Sequence, residues 1–399
     1  MGHKIKMLQA IMILVIAALI VSSCASGAAP TPTAAPKAPA QATAAPAKEK
    51  QGTPATPAAS SSSSSAAPTG QLPKSVTIAT SSPGSTLYAM GTGLAKVASD
   101  AGPIQVILQP FSGAPAYLPQ MEASGKPDLA ILNSVEAWQA LTAKSTPKAP
   151  PAGITIPTPY SKPYKNVRAL MLGTNLTTGM LVRKDSKYQT YADLKGARVA
   201  WGFKAQAGAA LAAYTNAVLG GLNPSNVKTV EVPDPVSAVR ALQEGRLDAA
   251  CLAIGMGATA EADAQVGVRF LDAPRDAAAI KEAQGLMPGG NVVQVKAGRA
   301  AGLPKDTYMW GYPTVVIAST NMPDNVAYAL TKVWWDNYQK LAPIDAQFQD
   351  WKPDIYVSKD AVVPYHPGAI AFYKEKGVWT PEMDKIQEQL LKGELPAVK

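Results

Sequence analysis

Small and hydroxyl-bearing residues follow an apolar segment near residue 76 and lead directly into a helical pattern. Residues 76–80 read as a buried strand, the turn SSPGST follows, and helical spacing of apolar residues begins at Leu87. The first N–H groups of a helix have no partner within it, and the helix dipole is positive at that end. Such a turn can hold an anion, although an ordinary helix cap would read the same.

The arrangement of strand, small-residue turn and helix occurs four times, at residues 80–86, 132–135, 202–208 and 255–259. In open parallel sheets, ligands bind beyond the C-terminal ends of the strands. Two such sheet edges that face each other would form a cleft. Lys204 lies on the third turn, where a cation would pair strongly with an anionic ligand in a dry cleft. The alternative for Lys204 is a solvated surface side chain.

The spacing of hydrophobic residues predicts the strands that position these turns. The predicted strands lie at 76–80, 104–110, 127–132, 167–172, 179–183, 197–202, 227–232, 247–255 and 312–319. The first three alternate with helices through short links, which predicts a parallel sheet. The pattern restarts after two strand segments near residue 170 and returns near residue 312. This order predicts an α/β fold with two lobes, at least two crossovers and a cleft.

Catalytic and metal-binding signatures are absent from the sequence. Beyond the N-terminal segment, His366 and Cys251 are the only histidine and cysteine, and neither has a partner of its kind for a zinc site. No nucleophile elbow or phosphate-binding loop occurs. The net charge is +9, but the excess is scattered without a dense basic run. We therefore predict a protein that is not an enzyme, needs no cofactor or metal, and binds no nucleic acid.

The N-terminal residues predict export and lipidation. Residues 1–24 combine a basic end, an apolar run of about 15 residues and small residues before Cys24. This resembles a bacterial lipoprotein signal peptide, after whose cleavage Cys24 carries lipid; a plain membrane anchor is the alternative. Residues 25–72 are rich in Ala, Pro, Ser and Thr, which predicts a disordered linker. We expect an extracytoplasmic protein anchored to the cell membrane by lipid.

The folded part resembles the TAXI-type solute receptors of TRAP transporters over nearly all of residues 73–395. The passages that carry the resemblance are IATSSPGSTLYAMG (78–91), the strand that ends in Asn133-Ser134, DLKGARVAWGFKAQAG (193–208), ALQEGRLDAA (241–250) and PYHPGAIAFYKEKG (364–377). The last is close to the family's ending around His-Pro-Gly-Ala. Asn133 stands where family members commonly have Gln, and Val135 where they have Asp.

This resemblance implies a two-lobed periplasmic-binding-protein fold of type II-like architecture, with a ligand cleft between the lobes. Lobe 1 would comprise 73–166 plus 308–399, and lobe 2 would comprise 167–307. The implied function is capture of a small organic anion, a carboxylate of the glutamate or 2-oxoglutarate class, for delivery to a TRAP-type permease. An ABC-importer receptor of the thiamine-precursor or sulfonate-like class is the alternative. The expected ligand contacts are Ser82, Gly84, Ser85, Thr86, Tyr88, Asn133, Ser134, Phe203, Lys204, Gln206, Gly208, Gly257 and Thr259.

Overall fold

A computed structural model describes residues 67–144 and 159–395. All of these belong to one compact unit, Ser62–Lys399. The predicted signal peptide, Cys24 and most of the predicted linker lie outside the described residues. Within them, none of the helices has the length and apolar character that crossing a membrane requires.

Strands and helices alternate along most of the described chain. The strands are β1 (Ser75–Thr80), β2 (Gln105–Pro110), β3 (Leu129–Asn133), β4 (Val167–Arg183), β5 (Arg198–Phe203), β6 (Lys228–Val232), β7 (Ala250–Ala253), β8 (Val268–Phe270), β9 (Asn291–Val295) and β10 (Thr307–Ser319). The helices are α1 (Thr86–Ala101), α2 (Ala114–Ser124), α3 (Ser134–Thr142), α4 (Ala207–Leu219), α5 (Pro235–Gln243), α6 (Gly257–Val266), α7 (Ala277–Leu286), α8 (Asp324–Asn337), α9 (Pro367–Glu375) and α10 (Pro381–Leu391). Short 3-10 turns lie at Ala192–Leu194, Tyr338–Lys340, Ala346–Phe348 and Pro353–Ile355.

The first group of strands is the parallel sheet that the sequence predicts. β1 pairs in parallel with β2 on one side and with β3 on the other. Helix α1 covers the sheet with Met90, Leu94 and Val97, all of which are buried. Trp334 of α8 is also buried and donates its indole N–H to the Leu94 carbonyl at 3.0 Å, which fixes α8 against α1.

Two long antiparallel strands connect this sheet to the rest of the fold. β4 and β10 pair along most of their lengths, from Trp310 opposite Thr178 to Ser319 opposite Val167. The prediction of two separate strands at 167–172 and 179–183 is wrong, because one 17-residue strand spans both. The polar segment between them reads as a turn, yet it is extended and inserted between β10 and the segment near Trp351. Thr174 donates to the Gln347 carbonyl there, and Thr314 donates to the Thr174 carbonyl.

A second group of strands pairs with the other ends of the same two strands. β7 and β8 pair antiparallel with β4, and β9 pairs antiparallel with β10. β5 and β6 form a parallel pair, and β5 is linked to the β7 region through a bridge between Val199 and Ala249. Helices α4 to α7 pack in this second group. The second half of β10 pairs with β3, whereas its first half pairs with none of β1 to β3.

The β4–β10 ladder is irregular at two places. Its register shifts between Pro313 and Val315, at the junction of the two groups, and again between Val316 and Ile317, where β10 also pairs with β3. Pro313 has no backbone N–H to give to the ladder, and Asn175 lies opposite it. Such irregularities bend a strand locally and remove ladder hydrogen bonds. The ladder is therefore interrupted at the junction of the two strand groups.

His366 begins helix α9 as a buried N-cap. Its Nδ1 accepts the Gly368 N–H at 3.2 Å, and its Nε2 donates to the Met322 carbonyl at 3.1 Å. This pair of contacts requires the neutral ring with a proton on Nε2. Burial lowers the pKa of His366, since the charged ring loses its water. The histidine is thus a structural cap at a distance from the turns predicted to bind ligand.

Replacement of His366 by Asn should change how stability depends on pH. The folded state disfavours the charged ring, so the unfolded chain binds a proton at His366 more readily. The free energy of unfolding of the wild type should therefore decrease as pH falls through about 6.5. The His366→Asn variant keeps a capping side chain but does not titrate. Urea unfolding from pH 7.5 to 5 should show the wild type losing stability relative to the variant. Parallel curves for the two proteins would contradict the assignment.

Candidate functional site

A small cavity of about 50 Å³ lies where the two strand groups face each other. Residues from the first group, the second group and the two connecting strands all line it. The lining consists of Ser81, Ser85, Thr86, Leu87, Gly113, Ala114, Tyr117, Leu132, Asn133, Glu136, Leu176, Thr178, Gln206, Gly208, Ala209, Ala212, Pro235, Cys251, Leu252, Ala253, Met256 and Tyr312. The cavity is several times larger than the roughly 10–15 Å³ that one water molecule needs on the same measure.

Six helix N-termini border this cavity. Each of β1, β2, β3, β5, β6 and β7 is followed by a helix whose first residues or N-cap appear in the lining. The N-caps Gly113, Gln206 and Met256 make no side-chain capping hydrogen bond, so the first N–H groups of α2, α4 and α6 are not satisfied by a capping side chain. Helix N-termini attract negative charge through these donors and through the dipole. The cavity therefore lies at the positive ends of six helices.

The rims of the two groups touch around the cavity. Thr86 at the start of α1 donates to the Ile254 carbonyl at 2.9 Å, and the Ala258 N–H donates to the Gly84 carbonyl at 3.4 Å. A Cβ at Gly113 would overlap the carbonyl of Ala205 across the gap. The two backbones can approach this closely because Gly113 has no side chain. The structure is accordingly a closed form of the cleft.

Among the described residues, Glu136 supplies the one acidic side chain in the lining, and it is only 4% exposed. Its Oε1 accepts from the Tyr160 hydroxyl at 3.0 Å, and its Oε2 accepts from Asn133 Nδ2 at 3.1 Å. The backbone N–H of Gly208, at the start of α4, also faces this carboxyl. Burial raises the pKa of Glu136 to about 7, while these three donors hold it lower than burial alone would.

One polar group of the lining lacks a partner among the described residues. Gln206 is 7% exposed, and its buried Nε2 donates to no acceptor in that part of the chain. A buried polar group without a partner is costly, and a bound molecule would remove that cost. The Gln206 amide therefore marks a position for a ligand contact.

Five residues predicted to contact ligand line the cavity: Ser85, Thr86, Asn133, Gln206 and Gly208. Ser85 and Asn133 also cap α1 and α3. Helix capping and a position in the cavity lining, the two interpretations that the sequence left open, therefore apply to the same side chains. Both caps place the following N–H groups at the cavity edge. Whether these five residues contact ligand stays a prediction.

The structure places the other eight predicted residues outside the lining. Gly84 and Gly257 meet at the rim, whereas Phe203 is buried in the core. Lys204 has a 73% exposed side chain and forms an ion pair with Glu231 at 2.6 Å. That contact on the surface agrees with the alternative of a solvated lysine. The remaining residues outside the lining are Ser82, Tyr88, Ser134 and Thr259.

Glu136, Tyr117 and Tyr312 line the site but were not predicted from the sequence. A signal for Glu136 exists, since Asn133 and Glu136 have the spacing of a capping box. In the structure the Asn133 Oδ1 accepts the Glu136 N–H at 2.7 Å, as that motif requires. A capping box is normally a surface feature, but here Gly208 from the second group and Tyr160 lie against it.

Cys251 lines the cavity as a buried thiol. Burial raises its pKa to about 12, so it is not ionised near neutral pH and is a poor nucleophile. Across the described ranges, no group of three or more His, Cys, Asp or Glu side chains is arranged to hold a metal ion. The lining contains no Lys, Arg or His side chain within these same residues.

Comparison with known proteins identifies a family and a fold. The model of the NMT1-like family matches residues 78–377. The structure of the periplasmic binding protein BugD is similar at a TM-score of 0.50 and 13% identity, covering 81% of this chain and 99% of that one. The aliphatic sulphonate binding protein SsuA from Escherichia coli matches at 0.40 and 14%, covering 82% and 94%. A substrate binding protein of an amino acid ABC transporter matches at 0.38 and 12%, covering 68% and 96%. The predicted α/β fold of two-lobed periplasmic binding proteins is confirmed.

An added methyl group at Gly113 should hold the cleft open. Because the Ala205 carbonyl belongs to the backbone, it cannot turn aside, and Gly113→Ala must separate the rims. Gly113 has an extended φ that alanine also adopts, so the free energy of unfolding should change by no more than about 1 kcal/mol. Small-angle X-ray scattering should show a larger radius of gyration than the wild type.

Gly257→Ala is the matched control. A Cβ there meets only the Gly84 Cα, at 3.9 Å, which is an ordinary contact. Its radius of gyration should equal that of the wild type. An unchanged radius for Gly113→Ala would show that the Gly113–Ala205 contact does not limit closure.

Proposed function

The chain belongs to the NMT1-like family, and from this premise we propose that it is a solute-binding receptor for a small molecule that bears a carboxylate. The observation that carries the proposal is the meeting of six helix N-termini around one closed cavity. The unpartnered amide of Gln206 in the same lining is an independent sign of a missing ligand group. A carboxylate is the kind of group that the positive ends of helices attract.

Closure of the cleft would couple ligand binding to a change of shape. The lobes expected from the sequence, 73–166 with 308–399 and 167–307, are joined by β4 and β10, and the cavity draws residues from both. A ligand that contacts both lobes favours the closed form over the open one by its extra contacts. The membrane partner could then recognise the closed form. Such a cycle makes and breaks no covalent bond, which fits a receptor rather than an enzyme.

The membrane partner is proposed to be a TRAP-type permease, on the strength of the TAXI-like passages. The most specific of them contains His366, which the structure uses as a buried cap. An ABC importer remains the alternative. Genes beside this one would distinguish the two, since an importer requires an ATPase and a TRAP system does not.

A ligand panel tests the receptor function. Thermal unfolding of the purified protein should be followed with monocarboxylates, dicarboxylates, amino acids and sulfonates. A ligand present at a hundred times its dissociation constant stabilises the folded state by about 3 kcal/mol, which raises the melting temperature by several degrees. At least one carboxylate should do so. An unchanged melting temperature across the whole panel would contradict the proposed function.

Membrane anchoring depends on Cys24. Metabolic labelling with a fatty-acid analogue should mark the wild type and not Cys24→Ala, because the thiol is the attachment point. Cys251→Ala serves as the control, since its thiol is buried in the folded unit and should not affect labelling. Labelling that persists in Cys24→Ala would contradict the lipoprotein assignment.

A further inference from the structure

The cavity combines three chemically distinct regions. Donors come from the helix starts and from Gln206 Nε2. An acidic group comes from Glu136. Most of the rest of the lining is apolar and includes Leu87, Leu132, Leu176, Pro235, Leu252 and Met256. A ligand that satisfied all three regions would carry an acceptor, a donor or cation, and an apolar part.

Glu136 has no cationic partner within the described residues. Its hydrogen-bond partners are the neutral donors Tyr160 and Asn133 and the N–H of Gly208. A buried carboxylate needs a counter-charge or a proton, because burial removes its water. If the ligand were simply anionic, Glu136 would repel it in a medium of low dielectric. A glutamine would then suit the site better than a glutamate.

Other titratable groups near Glu136 stay uncharged at neutral pH. Tyr117 from α2, Tyr312 from β10 and Tyr160 face it, and burial raises the pKa of each phenol. The nearby Cys251 thiol also stays neutral. Glu136 is therefore the one group of the described lining whose charge changes near neutral pH, and a cation brought by the ligand would fix it in the ionised state.

We propose that the ligand is an α-amino acid with an uncharged, apolar side chain, whose ammonium pairs with Glu136 while its carboxylate meets the helix N-termini. This inference rests on the proposed function and names its substrate class. The apolar lining takes the side chain. Glutamate and 2-oxoglutarate fit less well, because the lining offers no Lys, Arg or His within the described residues to balance a second carboxylate, and Lys204 lies outside it.

Four probes with five carbons separate the alternatives by isothermal titration calorimetry on the purified chain: L-norvaline, pentanoate, pentylamine and L-glutamate. L-norvaline should bind about tenfold or more tightly than pentanoate or pentylamine, since each of these lacks one charged contact. L-glutamate should also bind more weakly than L-norvaline, because its second carboxylate would enter the apolar part of the lining. Equal or tighter binding of pentanoate, pentylamine or L-glutamate would overturn the proposal.

Glu136→Gln tests the ammonium contact itself. The variant keeps the size of the side chain and an oxygen for Tyr160, but it carries no charge. It should bind L-norvaline about tenfold or more weakly and pentanoate no more weakly than the wild type. Glu388→Gln, a change at an exposed carboxyl of α10, is the matched control and should bind all four probes as the wild type does. Unchanged L-norvaline affinity in Glu136→Gln would overturn the assignment.

The pH dependence in the wild type provides a test that needs no variant. Binding of an ammonium requires ionised Glu136, so affinity for L-norvaline should rise by up to about tenfold from pH 6 to pH 8, with release of a proton. A proton-assisted monocarboxylate would show the opposite trend. If none of the four probes binds while another compound of the wider panel does, the substrate class is wrong and the receptor function stands. If nothing in the wider panel binds, both fall.

Discussion

The pairing of β4 with β10 is the constraint on which the rest of the fold depends. Strands β3, β7, β8 and β9 all attach to one of these two, so both strand groups inherit their orientation from a single ladder. The cavity lies against that ladder, with Leu176, Thr178 and Tyr312 contributed by the two strands themselves. Because both groups are fixed to the same ladder, their helix N-termini are directed toward one space.

Concentrating helix N-termini has an electrostatic cost that Glu136 offsets. Helix N-termini directed at one small volume repel one another, and the carboxyl of Glu136, which faces the starts of α3 and α4, reduces that repulsion when it is ionised. Its bonds to Tyr160 and Asn133 fix its position, and its approach to Gly208 joins the first group to the second. One side chain thus contributes to both the closure of the cleft and the charge of the site. This double role explains why Glu136 is buried although it lies in the first turn of a helix.

Local patterns in the sequence were sufficient to predict most of the elements, because each strand and helix carries its own spacing and punctuation. The first parallel sheet, the Ala-rich helix α4 and the strand-to-helix turns are confirmed. The continuity of β4 was not predicted, since a polar segment becomes extended only when β10 pairs with it. Similarly, Lys204 and Glu136 have turn positions that look equally suited to a ligand. Which of them faces the cavity depends on the direction of the side chain and on contacts from the other group, and neither is encoded in spacing.

The irregular part of the ladder around Pro313 has a mechanical consequence. Sliding of β4 past β10 would break the ladder hydrogen bonds along the whole length of the two strands, whereas bending at Pro313 and Asn175 breaks few of them. A rotation about that point is therefore the easier displacement. The distance between two points on opposite rims of the cleft then grows in proportion to their distance from the axis, so that a small change of angle at the ladder separates the points farthest from it the most.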